Sequence, residues 1–406
     1  MLLIDECEAL DRHLWARRDE FQITRVADTT GLDRTGVPTA SCVRPGTTDA
    51  IWVYSGKGST FPEARMTAMM ECIERTSALW DMSLVRKDPP PDEPRWPVER
   101  FTERLAPREV PVRLWVRAED LRRQTPVWVP ADLVFLGRRP PESGPSSVAV
   151  VTSNGVAAGT NRDGAIAAAL RELIERDAVS CAELRASHFA ISFLAAMSRA
   201  FGIESGLDSF RDDDSVATPV DPATLPQSAR AIFERMMNAN LEVSIKWIPS
   251  STGVPVFGAA AIEPMWDGFL AAAGYGASLD AEEAVRKALL ELAQSRATDR
   301  QGAREDSFEV EKARLSSVPR HHWLSSSTRA LTSFDALNVP RSPRAGVGAY
   351  LESLEAGELT EVAVVDLPTW PGLSVVRVLV PEIETWHATG GESSLGRRMR
   401  SAFGLT

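Results

Sequence analysis

Three stretches of the chain repeat one arrangement of oxygen-bearing side chains at helical spacing. In each stretch a turn that contains glycine leads to an alanine, and a glutamate follows seven residues after that alanine. A second acid or its amide stands three residues further on, so both side chains share one face of a helix. The alanines are Ala64, Ala165 and Ala284, and the pairs are Glu71 with Glu74, Glu172 with Glu175, and Glu291 with Gln294.

The surroundings of these acids predict a cation between them. Their neighbours are apolar, as in AMMECIE and AALRELIE, so we expect the carboxylates on or near the buried side of each helix. A buried carboxylate is costly unless a cation or a metal compensates it. Mg2+ is usually held by a few carboxylates together with phosphates, and the N–H groups at helix starts favour anions. The pattern therefore predicts a site for a nucleotide and Mg2+.

Arginines near the same acids offer a different interpretation. Arg75, Arg176 and Arg296 follow the paired side chains of the three copies. In a duplicated structural helix the acids would pair with these arginines, as Glu and Arg commonly do on solvated faces. Three copies with one alanine-to-glutamate spacing favour the ligand site, and the structural pairing stays open as the alternative.

Other motifs in the sequence are weaker. SGKG at 55–58 resembles a phosphate loop, although it lacks the GxxxxGK[ST] pattern of a P-loop. SNGVAAGTN at 153–161 offers small residues and hydroxyls for close approach of a ligand, but its glycine spacing is not that of a Rossmann fingerprint. The four cysteines and five histidines form no zinc or triad pattern.

Composition narrows the classes of protein further. A formal charge of −11 argues against a general nucleic-acid or membrane-surface binder, which would carry basic patches. The N-terminus MLLIDECEALDR lacks the positive charge and apolar run of a signal peptide, and no apolar stretch is long enough to span a bilayer. We therefore expect a cytoplasmic protein without membrane or nucleic-acid partners.

The elements that position the acids alternate between helices and strands. Residues 5–20 fit an amphipathic helix, residues 23–45 predict a hairpin or two short strands, and IWVYSGKG predicts a strand that runs into the first glycine turn. We expect loops at 86–97 and 205–225, the second a mobile connector. Further strands are predicted in VPVRLWVRAEDL, TPVWVPADLVF, LEVSIKWIPS, VPVFGAAAIEP, EVAVVDLP and LSVVRVLVPEIETW. Because hairpin-like pairs separate the helices, we predict an α+β fold with helices on largely antiparallel sheets.

Taken together, the repeats resemble the YcaO family. The matching features are GKG at 56–58 with Thr67, Glu71, Glu74 and Arg75, SNGVAAG with Glu172, Glu175 and Arg176, the helix with Glu291, Gln294 and Arg296, and GARED at 302–306. The similarity covers roughly residues 20 to 385. It implies one YcaO-type domain over 1–406, divided into an N-terminal helix and hairpin segment (1–50), an ATP-binding catalytic core (51–390) and a C-terminal tail (391–406).

The resemblance also implies cofactors and roles for individual residues. We expect ATP and Mg2+, with Glu71, Glu74, Glu172 and Glu175 on the metal, and with Glu74, Glu175, Arg176 and Arg296 in catalysis. Lys57, Arg176 and Arg296 would neutralise phosphates. The nucleotide would further be held by Thr67, Thr160, Glu291, Gln294 and Arg304.

The chemistry implied is activation of a peptide backbone amide by O-phosphorylation, followed by attack of a nucleophile and loss of phosphate. Cyclodehydration of a ribosomally made precursor peptide to a thiazoline or another azoline is the first expectation. Macrocyclic amidine formation and thioamide formation with a TfuA-type partner are the alternatives. Capture of the peptide by a separate leader-binding protein or by the chain's own surface is also implied, and so is a homodimer. Two alternatives belong to other classes of function: a nucleotide-binding scaffold subunit and another ATP-dependent ligase.

Overall fold

A computed structural model describes residues 4–102, 111–149, 151–201, 216–263, 272–303, 323–325, 329–340, 345–387 and 395–402, with the backbone alone at 4, 5 and 187–201. Its helices are α1 (Ile4–Ala16), α2 (Phe61–Ser77), α3 (Arg162–Phe201), α4 (Gln227–Asn238), α5 (Ala281–Gln301), α6 (Gly346–Ala356) and α7 (Arg397–Ala402). Within these described ranges no helix is long and apolar enough to cross a bilayer.

Thirteen strands are described, and the ladders between them are antiparallel. In chain order they are β1 (Arg25–Asp28), β2 (Thr39–Val43), β3 (Val53–Lys57), β4 (Val85–Arg86), β5 (Trp115–Asp120), β6 (Thr125–Pro130), β7 (Val156–Gly159), β8 (Thr218–Pro219), β9 (Glu242–Ile248), β10 (Val256–Ile262), β11 (Ala272–Ala277), β12 (Ala363–Leu367) and β13 (Ser374–Leu379). The predicted α+β fold on largely antiparallel sheets is confirmed.

The strands form three sheets, and each sheet contributes one edge strand to a repeat. The sheet orders are β1-β2-β3, β11-β10-β9-β8, and β4-β5-β12-β13-β7 with β6 on β5. Edge strands β3, β7 and β11 run directly into α2, α3 and α5, the three acid-bearing helices. Each helix packs on its own strand and also on the next one, since α2 contacts β7, α3 contacts β11 and α5 contacts β3. We call this closed arrangement the three-unit cycle.

Each acid-bearing helix buries its apolar face in a different cluster of the core. Ile73 of α2 lies in the first cluster, Ile174 of α3 in the second and Leu289 of α5 in the third, all fully buried. Glycine allows the closest approach of strand to helix. A Cβ at Gly56 or Gly276, eight residues before the repeat alanines, would lie 2.0 or 2.3 Å from the carbonyl oxygen of that alanine.

Several local predictions are confirmed, and some elements were missed. The helix expected at 5–20 is α1, the hairpin is β1 with β2, and β3 ends at the first glycine turn. The prediction of a mobile connector at 205–225 is wrong where the structure describes it, because β8 lies there and Val220 and Leu225 are buried. Residues 205–215 lie outside the described residues. Helices α4, α6 and α7 and strands β4, β7, β8 and β11 were not predicted.

Candidate active site

The first glutamate of each repeat helix accepts a hydrogen bond from the strand of its own unit or, in the second unit, from the residue just before that strand. Edge strands present backbone N–H groups that lack a neighbouring strand, and these carboxylates satisfy them. The N–H of Ser55 donates to Glu71 at 2.9 Å, that of Gly155 to Glu172 at 3.4 Å, and that of Tyr275 to Glu291.

The second side chain of each helix reaches the strand of the next unit instead. These contacts tie the three units together in one direction, from the first to the second, the second to the third, and the third back to the first. The N–H of Ala158 donates to Glu74 at 3.3 Å, the N–H of Ala277 donates to Glu175 at 3.0 Å, and Gln294 Nε2 donates to the carbonyl oxygen of Ser55 at 2.7 Å. The six paired side chains therefore converge on one centre.

Lys57 extends from the end of β3 toward this centre. Its backbone is fixed by Thr67, whose Oγ1 accepts from the Lys57 N–H at 3.0 Å and lies 2.9 Å from the Lys57 carbonyl oxygen. Its Nζ lies 2.6 Å from Glu291 Oε2, and both side chains are about one-quarter exposed. Thr67 thus positions the lysine, while the lysine ammonium lies at the mouth of the site.

Burial and mutual repulsion make the carboxylates at this centre difficult to ionise together. Burial, then the charges of Glu172 and Glu71, raises the pKa of Glu74 well above its ordinary value. Burial also raises the pKa of Glu172, and burial with the neighbouring Glu291 raises that of Glu175 to about 7. A bound cation would relieve this repulsion and hold these groups ionised.

Glu291 behaves in the opposite way. Burial opposes its ionisation, but the charges of Lys57 and Arg176 outweigh burial and lower its pKa to about 2. One carboxylate of the site is therefore firmly ionised, while its neighbours favour a proton. Perturbed carboxyl groups with opposed shifts in one cleft are typical of functional sites.

The three arginines do not pair with the repeat acids as a set. Arg176 lies 3.9 Å from both Glu172 Oε1 and Glu175 Oε1, which are long contacts. Arg75 makes two 2.8 Å bonds to the buried Asp49 instead. The alternative interpretation, in which each arginine pairs with the acids of its own helix, is therefore wrong for Arg75.

Arg296 is also engaged elsewhere, which does not match the predicted phosphate contact. Its side chain is 1% exposed, and its guanidinium donates to Asp33 at 2.9 and 3.1 Å and to Glu263 at 3.4 Å. The physical reason is its position on α5: two residues beyond Gln294, its side chain turns toward the β1-β2 connection and away from Glu291. We correct the prediction for Arg296 to a buried ion-pair network.

The remaining predicted residues are less central. Thr160 is exposed in the turn between β7 and α3, and Arg304 lies outside the described residues. At each helix start a side chain already takes one N–H: Thr60 accepts from Glu63, Asn161 from Gly164 and Asp280 from Glu282. The helix starts are therefore partly capped, and the carboxylate centre is the stronger feature.

Sequence reasoning missed a cavity of about 810 Å³ beside this centre. Glu172 and Arg176 form one wall, Thr152 and Asn154 another, and His387 also lines it. The Oγ1 of Thr152 and the Nδ2 of the buried Asn154 are buried without a hydrogen-bond partner among the residues described. Buried polar groups are normally satisfied, so two unsatisfied groups beside one cavity are unusual. SNG at 153–155 was the available signal.

The oxygen-rich centre fits Mg2+ in one specific way. In the parts of the chain that the structure describes, no three ligating side chains already form a metal cage. Mg2+ usually binds through one or two carboxylates and completes its shell with phosphate oxygens and water. The pairs Glu71 with Glu74 and Glu172 with Glu175 supply such partial donor sets, so they fit an ion that arrives with a nucleotide.

Sequence comparisons place the chain among known relatives. The family model described as "YcaO cyclodehydratase, ATP- and Mg2+-binding" matches residues 55–384. An uncharacterised protein of Methanothermobacter thermautotrophicus is 33% identical over 398 residues, covering 94% of each chain. An uncharacterised protein in the tfuA 3′ region of Rhizobium leguminosarum bv. trifolii is 27% identical over 414 residues, covering 93% of this chain and 87% of its own.

Solved structures show the same fold. YcaO from Methanopyrus kandleri bound with AMPPCP and Mg2+ superposes with a TM-score of 0.69 and 25% identity, over 98% of this chain and 94% of that one. A heterocyclase in complex with substrate and cofactor has a TM-score of 0.71 at 17% identity, over 98% of this chain and 55% of that one. At that identity the second likeness concerns the fold alone.

Proposed function

The chain belongs to the YcaO family, whose domain binds ATP and Mg2+, and we propose that it uses both to activate a backbone amide of a peptide. The observation that carries this proposal is the convergence of Glu74, Glu172 and Glu175, whose raised pKa values call for a cation at the centre of the three-unit cycle. A structural helix triplet has no need of such a costly cluster.

Roles for individual side chains follow from their positions. We assign Glu71, Glu74, Glu172 and Glu175 to Mg2+, directly or through water, because each already uses one oxygen to fix its orientation on a backbone N–H. Lys57 and Arg176 lie within 4 Å of acids of the centre and are assigned to phosphate groups. Thr67, Gln294 and Glu291 hold Lys57 and β3 in place.

The chemistry has a clear physical logic. An amide oxygen is a poor leaving group, so its replacement requires conversion to a phosphate ester, for which bound Mg2+ and ATP supply charge neutralisation and the γ-phosphoryl group. The protein's part is positioning and electrostatics, as in other phosphoryl transfers. We propose that a side chain of the peptide then attacks the same carbon and phosphate leaves, which gives an azoline.

A second candidate is thioamide formation with a TfuA-type partner. It is favoured by one specific observation, the relative from Rhizobium leguminosarum that is named for its place in the tfuA 3′ region. In that reaction an external sulfur nucleophile would attack the activated carbon. We further propose that residues 1–406 act as one YcaO-type domain on a precursor peptide, and that the protein is a homodimer.

The experiment incubates short peptides encoded beside this gene with the purified protein, ATP and Mg2+, and measures their mass. Loss of one water that requires ATP supports cyclodehydration, and fragmentation distinguishes an azoline from an amidine. A mass gain that corresponds to oxygen-to-sulfur exchange, seen only with sulfide and a TfuA-type protein, moves the assignment to thioamidation. Unchanged peptides together with no nucleotide binding by calorimetry would contradict the proposed function.

A further inference from the structure

His387 and Glu183 form a hydrogen-bonded pair at the edge of the cavity. The Nδ1 of His387 lies 2.7 Å from Glu183 Oε1, and the Glu183 side chain is only 1% exposed. Glu183 lies on α3, the helix that carries Glu172 and Arg176, and positions 172, 176 and 183 share one helical face. One helix therefore brings both the metal-site acids and the Glu183 carboxylate to the same side.

Two further contacts fix the histidine. Its backbone N–H donates to the Oγ of the buried Ser180 at 2.9 Å. Its imidazole packs edge-on against Tyr275, with centroids 4.9 Å apart and planes at 79°. Tyr275 belongs to β11, and its own N–H donates to Glu291. The imidazole is thus oriented by two units of the three-unit cycle.

Part of the His387 side chain is exposed. His387 lines the same cavity as Glu172, Arg176 and the partnerless amide of Asn154. The His387 side chain is 15% exposed, whereas the Glu183 side chain behind it is 1% exposed. A purely structural hydrogen bond needs no such opening. This arrangement, a buried carboxylate behind a partly exposed imidazole at the edge of a substrate-sized cavity, is one in which histidine moves protons.

We propose that His387, oriented by Glu183, accepts the proton of the nucleophile that attacks the activated amide. This inference rests on the proposed function and adds a proton acceptor, a role that the residues assigned to Mg2+ do not fill. The Nδ1–H donates to the Glu183 carboxylate, which makes Nε2 the basic nitrogen.

The electron pairs and protons balance in this step. As the nucleophile adds, its lone pair forms the bond to the activated carbon and its hydrogen passes as a proton to Nε2. The π pair of the phosphorylated amide moves onto nitrogen. The nitrogen lone pair then re-forms the double bond, the carbon–oxygen bond breaks with its electrons leaving on phosphate, and the nitrogen gives its proton to the departing phosphate. No oxidant or reductant is required.

The test compares His387→Asn with His13→Asn, a matched change on the exposed face of α1. Asparagine can place an amide nitrogen near the position of Nδ1, but it offers no basic nitrogen. With a peptide that the wild type converts, we expect the maximal rate of His387→Asn to fall by about a hundredfold or more, the size of general-base catalysis. His13→Asn should keep the wild-type rate, and AMPPCP binding with Mg2+ should be unchanged in both.

Three additional variants separate proton transfer from a structural role. Added imidazole should restore part of the rate in His387→Gly. It should restore none in Glu175→Gln, which keeps the histidine but loses a carboxylate assigned to Mg2+. Glu183→Gln should lower the maximal rate with little effect on the Michaelis constant for peptide. A wild-type rate in His387→Asn, or lost AMPPCP binding in that variant, or no rescue by imidazole, would overturn the inference. A wild type that converts no peptide and binds no nucleotide would instead overturn the proposed function.

Discussion

Gln294 Nε2 donates to the carbonyl oxygen of Ser55, and this contact explains why the third repeat carries an amide where the others carry an acid. At the two equivalent positions, Glu74 and Glu175 meet backbone N–H groups, which require an acceptor. At the third the partner is a carbonyl, which requires a donor. The break in the repeat therefore follows from the way the three-unit cycle closes.

The first prediction tests this closure. Gln294→Glu would set a carboxylate against a carbonyl oxygen and beside Glu291, and we expect a loss of about 1–3 kcal/mol in the free energy of unfolding. Gln301 of the same helix is the control, because it donates to the hydroxyl of Ser41, which can reverse its role and donate to a carboxylate. Urea unfolding that shows equal losses in Gln294→Glu and Gln301→Glu would argue against the explanation.

The second prediction concerns catalysis. Glu175→Gln keeps an oxygen to accept from the Ala277 N–H but removes the charge assigned to Mg2+. We expect ATP turnover to be abolished while the melting temperature stays at or above that of the wild type, since a buried carboxyl with a pKa of about 7 is removed. Phosphate release measures the turnover. Glu234→Gln, on the exposed face of α4, is the control, and unchanged turnover in Glu175→Gln would remove the metal assignment.

The third prediction is a pH dependence of stability. Glu384 is fully buried, one of its oxygens has no hydrogen-bond partner among the described residues, and burial with the nearby Asp177 raises its pKa to about 7. The folded protein therefore binds more protons than the unfolded chain between about pH 4.5 and pH 7, and stability falls as pH rises through that window.

Glu384→Gln removes this titration and retains an amide oxygen for the Gly396 N–H. The variant should match the wild type near pH 5 and exceed its free energy of unfolding at pH 8, by an amount on the order of 3 kcal/mol at most. Urea unfolding at the two pH values measures the difference. If the difference in free energy of unfolding between the variant and the wild type is no larger at pH 8 than at pH 5, Glu384 does not cause the pH dependence.

The fourth prediction tests the corrected role of Arg296. Asp33→Asn removes a charge from a buried pair whose side chains are 1% and 3% exposed, and we expect a loss of about 3–5 kcal/mol in the free energy of unfolding. Glu8→Gln breaks the exposed pair with Arg12 and should cost less than about 1 kcal/mol. If Asp33→Asn is as stable as the wild type but binds AMPPCP more weakly, the original prediction that Arg296 contacts phosphate would be restored.

Local patterns in the sequence were sufficient to predict the helices and their acids. The alanine-to-glutamate spacing is a property of single helices, and α2, α3 and α5 contain the predicted residues. Strand β11 was missed because AAGYGA has low strand propensity, and its small residues are explained only by the close approach of α5. Helix α4 could have been found from Ala229, Ile232 and Met236, which are buried at helical spacing.

The rest of the site depends on contacts between distant parts of the chain. No sequence pattern connects Glu74 to Ala158, Arg296 to Asp33 or His387 to Glu183, which are joined only when the three sheets assemble. Sequence spacing reports which side chains share a helix face, but not which backbone or charge meets that face. The sequence alone therefore could not predict which group each acid contacts.

The most direct test of the central claim is a calorimetric titration of the protein with AMPPCP, once with Mg2+ and once with EDTA. If the three units hold a nucleotide through Mg2+, affinity should be about tenfold or more higher with Mg2+, and Glu74→Gln should lose most of that gain. Glu234→Gln should bind as the wild type does. Equal affinity with and without Mg2+, or a Glu74→Gln variant that binds like the wild type, would contradict the account.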